Sequence, residues 1–228
     1  MVPPVDSRSA LLAIVGGVIV PIGAEGQTMP PPFVLSGVPS TFTFDATKFF
    51  DMIRQDPFPG HLAQTQVDGM TYLMRAWRLK HHPNTGDVRW LSYLMATTFH
   101  ETAYTMMPIK EYGSQSYLQS KDYWPYVGRG YVMLTWDFNY EKGGVLTGED
   151  LLNFPDLAMN PEISAQITYD GMIKGWFTGK AFDDYFNSTK DDPVNARQII
   201  NGNDKDDTIA GYHKAFLAAI KASITPVP

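Results

Sequence analysis

The amino-acid sequence predicts a mainly α-helical fold with a small β element, preceded by an N-terminal segment of different composition. From about Thr43 onward, apolar residues recur at the three- and four-residue spacing of helices that bury one face. The Gly- and aromatic-rich stretch 123–140 instead alternates briefly enough for small strands or a loop. Residues 1–44 carry only three charged residues and seven of the seventeen prolines. We therefore expect one domain at 45–228 and an apolar, proline-rich leader or docking segment at 1–44.

The composition is that of a packed globular protein and excludes two classes of function. The chain has 228 residues, of which 44% are hydrophobic and 13% aromatic, enough for one sizeable core. A net charge of −6 provides no positive field for phosphates, so we expect no nucleic-acid partner. The chain has no cysteine, which excludes disulfides, thiolate metal sites and thiol nucleophiles.

The N-terminal segment contains an apolar run, Ala10–Ala24, that is interrupted by two glycines at 16–17 and by Pro21. A membrane-spanning helix needs about 20 apolar residues, so this run is short for that purpose. Three interpretations stay open: an export or membrane-arrest signal, a docking segment for a larger assembly, and a β-structured or packed extension. The three prolines at 30–32 predict an extended linker.

Four helices are predicted in the domain from their apolar spacing and their boundary residues. Thr65, Asp87 and the pair Asn160-Pro161 are typical of the first three helix starts, and Pro226 follows the last helix. The predicted inward faces, in chain order, are Val67, Met70, Leu73, Met74 and Trp77; Leu91, Leu94, Met95 and Thr98; Ile163, Ile167 and Trp176; and Ile209, Tyr212, Phe216 and Ile220.

A glutamate lies on the apolar face of the second predicted helix, where a surface carboxylate is not expected. Glu101 is three residues after Thr98 and seven after Leu94, which places it on the inward side. Burial there would raise the pKa of the carboxyl group, because a low-dielectric environment disfavours the charged form. Pro108 ends the helix, so Glu111 follows in a turn or loop that could return across a cleft. A protonated and an ionised carboxyl group across a groove suit glycosidic bond hydrolysis.

Two alternatives apply to the same residues. Each glutamate could be an ordinary solvated or ion-paired residue, with Lys110 as the partner of Glu111. The His-Glu pair at 100–101 also resembles the start of a zinc-protease motif, but that motif requires a histidine where this chain has Tyr104. We therefore expect no metal and no cofactor, and we interpret His100 as a hydrogen-bonding neighbour of the acid.

Four motifs occur in a fixed order along the chain. They are "HET" at His100–Thr102, "GRGYVMLTWDFNY" at Gly128–Tyr140, the helix and aromatic segment Asn160–Lys180, and the Ile-Asn-Gly turn with its helix at Ala196–Phe216. Together they resemble glycoside hydrolase family 19, which contains chitinases and related phage and bacterial endolysins of the lysozyme-like superfamily. The second motif is close to the family signature Gly-Arg-Gly-x-x-Gln-Leu-Ser/Thr-Trp-x-x-Asn-Tyr. The resemblance covers about residues 45–222 and implies a lysozyme-like α+β fold with a catalytic cleft.

The resemblance implies a role for each of several residues. Glu101 would be the general acid, Glu111 the base that activates water, and Thr135 a hydroxyl that helps to hold that water. The implied substrate-binding residues are His100, Arg129, Tyr131, Met133, Trp136, Asn139 and Asn201. Trp124 and Tyr126, like Trp136, offer flat rings for sugar stacking.

Met133 departs from the family signature, which has glutamine at this position. Loss of that amide would cost about 1–3 kcal/mol, or up to about a hundredfold in rate, if the amide acts in the transition state. Three outcomes stay open: weaker activity, a different substrate, or compensation by a neighbour such as Gln115.

The sequence therefore predicts a cell-wall-degrading glycosidase that cuts β-1,4 bonds in peptidoglycan glycan strands. Plant members of the family carry disulfides and a longer interval between the two acidic residues, so the resemblance favours the phage-type endolysin branch and the bacterial cell wall as site of action. It implies an inverting mechanism, with carboxyl groups about 6.5–9.5 Å apart. The alternatives are a chitinase and a weakly active virion structural or wall-binding module on the same scaffold. Residues 1–44 could contact other virion proteins both in an active hydrolase and in such a structural module.

Overall fold

The structure, a computed structural model, describes residues 12–15, 18–21, 26–28, 33–37, 40–79 and 87–226. The α-helices are α1 (Ala46–Gln55), α2 (Gln64–Leu79), α3 (Val88–Glu101), α4 (Gln115–Gln119), α5 (Asp137–Thr147), α6 (Pro161–Lys174) and α7 (Asp206–Ser223). The strands are β1 (Leu12–Val15), β2 (Val18–Pro21), β3 (Phe33–Gly37), β4 (Ser40–Phe44), β5 (Ile109–Lys110), β6 (Arg129–Gly130) and β7 (Ile224–Pro226). Short 3₁₀ helices lie at Pro155–Met159, Phe182–Asp184 and Asn195–Ile199. The predicted fold class, mainly α with a small β element, is confirmed.

Helix α3 lies inside the fold because its sequence is apolar on nearly every side. All residues from 90 to 99 are buried, and a helix of this kind is stable only when other elements cover it. Helix α7 packs along α3 and α1, while α2 packs against α6. The predicted inward residues of the first two helices are all buried. Trp176 lies beyond the end of α6, because Gly175 adopts a left-handed conformation with φ 66° and terminates the helix.

Two of the three predicted helix caps are confirmed. Asp87 and Asn160 each accept a hydrogen bond from a backbone N–H of the first turn that follows, at 2.9 Å in both cases. The prediction for Thr65 is wrong, since this residue lies within α2. Gln66 fixes this helix start instead, because its Oε1 accepts a hydrogen bond of 2.8 Å from the backbone N–H of Ala63.

The two ends of the domain meet in a three-stranded antiparallel sheet with the order β3-β4-β7. Phe44 pairs with Ile224, and the N–H of Asp45 donates to the carbonyl of Ser223 at 2.8 Å. Strand β4, which ends at residue 44, is therefore hydrogen-bonded to the C-terminal strand β7, and the predicted domain boundary at this residue stays a prediction. This pairing joins segments about 180 residues apart and closes the fold beside α1 and α7.

The described parts of the N-terminal segment are short. Strands β1 and β2 form a separate antiparallel hairpin, and Gln27 Nε2 donates to the carbonyl of Leu62 at 2.7 Å. No helix among the described residues is both long and apolar enough to cross a membrane. The glycines at 16–17 lie outside the described residues. The three prolines at 30–32, on which the linker prediction rests, also lie outside them.

The predicted β element is the two-stranded antiparallel sheet of β5 and β6, which connects the end of α3 to the middle of the chain. Gly130 has φ 91°, and an added Cβ would lie 2.5 Å from Ser164 Oγ on α6. That hydroxyl accepts a hydrogen bond of 2.9 Å from the N–H of Tyr131. Because only glycine leaves room for this close approach, Gly130 allows β6 to pack directly against α6. A second apolar cluster supports the same region and contains Leu134, Tyr140, Leu151, Ala158, Ile163 and Ile167.

Candidate active site

Glu101 is the last residue of α3, and a threonine directly after it fixes the helix end. Thr102 Oγ1 donates to the carbonyl of Thr98 at 2.7 Å and accepts from the N–H of Met106 at 3.1 Å. The intervening turn needs unusual backbone conformations, with positive φ angles at Ala103, Tyr104 and Met106. Such conformations are uncommon outside glycine and concentrate at functional sites. The "HET" motif therefore combines the carboxyl group with the residue that holds its helix end.

The carboxylate of Glu101 forms an ion pair with Arg197, which the 3₁₀ helix at 195–199 presents. Arg197 Nη1 donates to Glu101 Oε1 at 2.6 Å, and Arg197 Nε donates to the carbonyl of Asp204 at 2.9 Å. The side chain of Arg197 is 3% exposed and that of Glu101 is 18% exposed. The predicted apolar environment of Glu101 is therefore wrong, because a buried guanidinium faces it. Within the described residues, Oε2 of Glu101 takes no hydrogen bond.

Glu111 follows β5 directly and is anchored to the loop that contains the family-like signature. Its N–H donates to the carbonyl of Gly128 at 2.8 Å, and the N–H of Gly128 donates to Glu111 Oε2 at 3.0 Å. The hydroxyl of Tyr123 donates to Oε1 at 2.9 Å. The alternative that Lys110 is simply the partner of Glu111 is wrong, since Lys110 Nζ donates to Asp156 at 2.9 Å. Both oxygens of Glu111 are thus held by neutral donors.

Arg129 is buried and stabilises the signature loop from within. Its Nε donates to Asp156 Oδ1 at 2.7 Å, and its Nη1 donates to the hydroxyl of Tyr140 at 2.9 Å. Lys110 and Arg129 hold the pKa of Asp156 below its usual value. Burial raises the pKa of Tyr140 to about 12, so its hydroxyl keeps the proton that it donates to the carbonyl of Val127.

The burial of Arg129 and Tyr131 corrects the expectation that both contact substrate directly. Their exposed fractions are 4% and 0%. The hydroxyl of Tyr131 points into the core, where it donates to the carbonyl of Gly69 at 3.4 Å. Both side chains were expected in the cleft because they belong to the signature, but the structure uses them to pack this loop against α2 and α6.

The rest of the signature places polar and aromatic groups at the start of α5. Asn139 Nδ2 donates to the carbonyl of Thr135 at 3.0 Å, and its Oδ1 is buried without a partner among the described residues. A buried amide oxygen without a donor is rare and needs a reason. Met133 and Trp136 have positive φ angles of 55° and 72°. The loop is therefore held in a strained conformation where Thr135, Trp136 and Asn139 were predicted to act.

Exposed aromatic rings lie in this loop. Trp136 is 40% exposed, stacks on Phe138 with ring centres 6.1 Å apart, and meets the ring of Tyr123 edge-on at 5.6 Å. Tyr123 also donates to Glu111. Its side chain therefore lies between the exposed ring of Trp136 and the carboxylate. The large exposed aromatic residues of the described chain are Tyr104, Tyr112, Tyr117, Trp124, Trp136, Phe138 and Phe154.

The remaining predicted residues lie at the edges of the two glutamate environments. His100 is half-buried in the last turn of α3 beside Glu101. Asn201 is exposed, its N–H donates to the carbonyl of Arg197 at 3.0 Å, and its Oδ1 accepts from the next backbone N–H. Gln115 is exposed at the start of α4, and the donors that Glu111 has are other residues. Within the described chain, no cluster of three or more potential metal ligands occurs.

Two important partners were missed by sequence reasoning. Arg197 lies in the segment "NARQII", where one arginine among small and apolar residues is a signal for a buried, paired cation. Tyr123 begins the "YWPY" stretch, in which the sequence indicates only flat rings for sugar stacking. The two carboxylates of the candidate site are ten residues apart in sequence and are held separately: Glu101 is paired with a cation, and Glu111 is held by neutral donors.

The central part of the chain matches a known family. Residues 93–194 match the family described as chitinase class I, glycoside hydrolase family 19. The matched range contains both glutamates and the signature loop and ends before Arg197. An endochitinase from Phaseolus vulgaris is 25% identical over 178 residues, which cover 68% of this chain and 52% of that protein. An endochitinase from Brassica napus is 37% identical over 71 residues, which cover 28% of this chain and 21% of that protein.

The sequence matches above span at most about half the length of the curated relatives. Solved structures share the fold at low sequence identity. A family 19, class IV chitinase from Zea mays has a TM-score of 0.52 at 18% identity, covering 81% of this chain and 94% of that one. Chitinase C from Streptomyces griseus has a TM-score of 0.50 at 18% identity, covering 83% and 91%. The chain therefore has the helical fold of these chitinases, and its central segment matches the family model over residues 93–194.

Proposed function

We propose that this protein is a glycoside hydrolase that cleaves β-1,4 bonds between N-acetylated amino sugars, with chitin as its first candidate substrate. The observation that carries the proposal is the pair Glu101 and Glu111, each fixed by hydrogen bonds within the segment that matches glycoside hydrolase family 19. The sequence relatives are endochitinases, which supports chitin over other polymers. Paired carboxyl groups are sufficient for this chemistry, so the proposal needs no cofactor.

In the proposed mechanism, Glu101 acts from its protonated form, and it gives this proton to the glycosidic oxygen as the bond to the anomeric carbon breaks. Water attacks that carbon from the opposite face, and Glu111 accepts the proton that the water loses. The products are a sugar with inverted anomeric configuration and a sugar with a free hydroxyl group. After the transfer, Glu101 is ionised, and Arg197 stabilises this charge through the bond to Oε1.

The exposed rings beside the base fit the binding of a sugar chain. The faces of pyranose rings are apolar and stack on aromatic side chains, while their hydroxyl groups need polar partners. Trp136 and Phe138 supply such a surface next to Tyr123. In this proposal Thr135 holds the attacking water, and Asn139, Asn201 and His100 contact the sugar.

A second candidate substrate is peptidoglycan, as in an endolysin that acts on the bacterial cell wall. The interval of ten residues between the two glutamates and the absence of cysteine favour it, because plant chitinases of the family have a longer interval and disulfides. Under this proposal the partners are glycan strands of the wall, and the N-terminal residues 1–44 contact other virion proteins in a virion-associated enzyme. Met133 in place of glutamine would also fit a virion module with weak activity.

The test is digestion of chitin oligosaccharides and of purified peptidoglycan by the wild-type protein and by Glu101→Gln. Products are identified by mass spectrometry after reducing-end labelling, and NMR of the fresh product reports its anomeric configuration. We expect new reducing ends with inverted configuration from the wild type and about 10²–10⁴ times lower kcat for Glu101→Gln.

The outcome separates the candidates. Cleavage of chitin alone supports a chitinase, and cleavage of peptidoglycan supports an endolysin and identifies the sugar at the cut. Binding to either polymer without products, by the wild-type protein and by Glu101→Gln alike, would reject an enzyme and favour the wall-binding module.

A further inference from the structure

Met133 and Glu111 both lie next to Gly128. An added Cβ at Gly128 would lie 2.8 Å from Met133 Cε and 3.4 Å from Glu111 Cβ, so both side chains flank the same bare face of the glycine. A thioether has no hydrogen to donate. The position where the family signature has a glutamine amide therefore offers no donor next to the proposed base.

Tyr123 supplies a donor to the same carboxylate from another part of the chain. Its hydroxyl lies 2.9 Å from Glu111 Oε1. Burial and the hydrogen bond to Glu111 raise the pKa of Tyr123, so the phenol keeps its proton at neutral pH. The hydroxyl can therefore only donate to an ionised carboxylate, which has no proton to give in return.

The ring of Tyr123 is held by its neighbours, so the hydroxyl group that donates to Glu111 has a fixed position. Trp136 meets it edge-on, with ring centres 5.6 Å apart and an angle of 69° between the planes. The N–H of Trp136 in turn donates to the carbonyl of Tyr126 at 3.2 Å, which ties the two ends of this loop together. A tyrosine held in this way loses little further freedom when it binds the carboxylate.

We propose that Tyr123 is a positioning residue that orients the carboxylate of Glu111 and replaces the amide that Met133 lacks. The inference rests on the proposed function, because it requires Glu111 to act as the base. With the hydroxyl removed, the carboxylate of Glu111 keeps, among the residues that the structure describes, only the backbone bond from Gly128 to Oε2. The carboxylate can then turn about its last torsion, and the attacking water is activated less often. Since Tyr123 acts on the base, the loss appears in kcat and leaves KM nearly unchanged.

The test is steady-state kinetics of Tyr123→Phe, Met133→Gln and the double variant on the substrate that the wild type cleaves. We expect Tyr123→Phe to lower kcat by about tenfold to a hundredfold, with KM within about twofold of the wild type. Met133→Gln in the Tyr123→Phe background should restore most of kcat, because the amide returns a donor to the same carboxylate. Met133→Leu in that background should restore nothing, since leucine has no donor.

A matched control is Tyr185→Phe, which removes one tyrosine hydroxyl bonded to Gln198 Oε1 at 3.2 Å. This variant should keep the kcat of the wild type. Thermal unfolding of all variants shows whether a loss of kcat comes from a loss of folded protein.

Each other outcome counts against a defined part of the inference. Wild-type kcat in Tyr123→Phe, with Glu111→Gln inactive, would overturn the positioning role and leave the proposed function intact. A lower kcat that Met133→Gln does not restore would overturn the replacement of the amide. An inactive wild-type protein would overturn the proposed function and this inference together.

Discussion

The two glutamates of the candidate site are held by different means, although only ten residues separate them. Glu101 ends a buried helix and pairs with the guanidinium of Arg197, a side chain that is 3% exposed. Glu111 follows a two-residue strand in a glycine-rich region and takes its hydrogen bonds from a phenol and a backbone N–H. One carboxylate is thus fixed by charge on a rigid element, and the other by neutral donors on a short one.

This difference fits the two roles in an acid and base pair. A cation beside a carboxylate stabilises the charge that a general acid acquires when it gives up its proton, and it also favours the ionised form before the reaction. A base must instead gain a proton, and a neighbouring cation would oppose that step more strongly than neutral donors do. Tyr123 and Gly128 can therefore orient Glu111 at a smaller loss of basicity. The asymmetry predicts that the two sites respond differently to mutation.

The largest difference should appear when each carboxylate is removed. Glu101→Leu leaves the buried cation of Arg197 without its counter-charge, and we expect a loss of about 3–5 kcal/mol in the free energy of unfolding. Glu111→Leu leaves only neutral donors behind, one of them on the half-buried Tyr123, and should cost about 1–2 kcal/mol. Urea unfolding of both variants measures the difference. Equal losses would mean that the ion pair contributes no more than ordinary hydrogen bonds.

A second prediction concerns His213, which packs under the helix that carries Glu101. Its Nδ1 lies 2.8 Å from Ser92 Oγ on α3, and the rings of Tyr93 and Phe186 enclose it. Burial lowers the pKa of His213 to about 4. An unfolded histidine binds a proton near pH 6.5, so between about pH 6.5 and 4 the unfolded chain holds a proton that the native protein lacks. Stability is complete above this window and falls as the pH drops through it, by about 3 kcal/mol in total.

Urea unfolding at pH 7, 5.5 and 4 checks this dependence, with His213→Gln as the matched variant. Glutamine can still bond Ser92 but cannot be protonated, so this part of the pH dependence should disappear. The result also bears on the two glutamates, because unfolding at low pH would abolish activity whichever glutamate is the more sensitive to mutation. A slope unchanged in His213→Gln would assign the acid sensitivity to other groups.

The sequence was sufficient for those parts of the fold and site that depend on local pattern. Apolar spacing identified the buried face of α3, and side-chain chemistry identified the caps Asp87 and Asn160. The same spacing selected Glu101, because a carboxylate on an apolar stripe conflicts with burial. The prediction that Glu111 lies outside that helix is confirmed, but the helix ends at Glu101, well before Pro108, and a short strand precedes Glu111.

Long-range partners could not be predicted in this way. Arg197 lies 96 residues from Glu101, and no helix or strand period connects them. The burial of Tyr131 depends on the contact between Gly130 and Ser164, which only the folded chain brings together. The strand β7 pairs with a segment at the other end of the domain for the same reason. Periodicity therefore identifies which residues are inside, and the fold decides what they meet there.

The smallest predicted effect concerns Gly128, whose bare face allows Met133 to lie next to Glu111. Gly128→Ala adds a methyl group 2.8 Å from Met133 Cε, so the flexible end of the methionine must move. We expect a loss of about 1 kcal/mol in the free energy of unfolding, at the low end of overpacking effects. The backbone N–H of residue 128 still reaches Oε2, so kcat should fall only a few-fold as Glu111 is displaced.

Gly211→Ala is the matched control, because nothing lies within 4 Å of an added Cβ at that position in α7. Alanine favours a helix, so this variant should gain roughly 0.5–1 kcal/mol and keep its activity. Combining Gly128→Ala with Met133→Ala makes room for the added methyl group and should return kcat toward that of Met133→Ala alone. If Gly128→Ala instead lowers kcat as strongly as Glu111→Gln does, the loop at Gly128 must contribute to the reaction by more than packing. The kcat would then be more sensitive to changes around Glu111 than a role in packing alone explains.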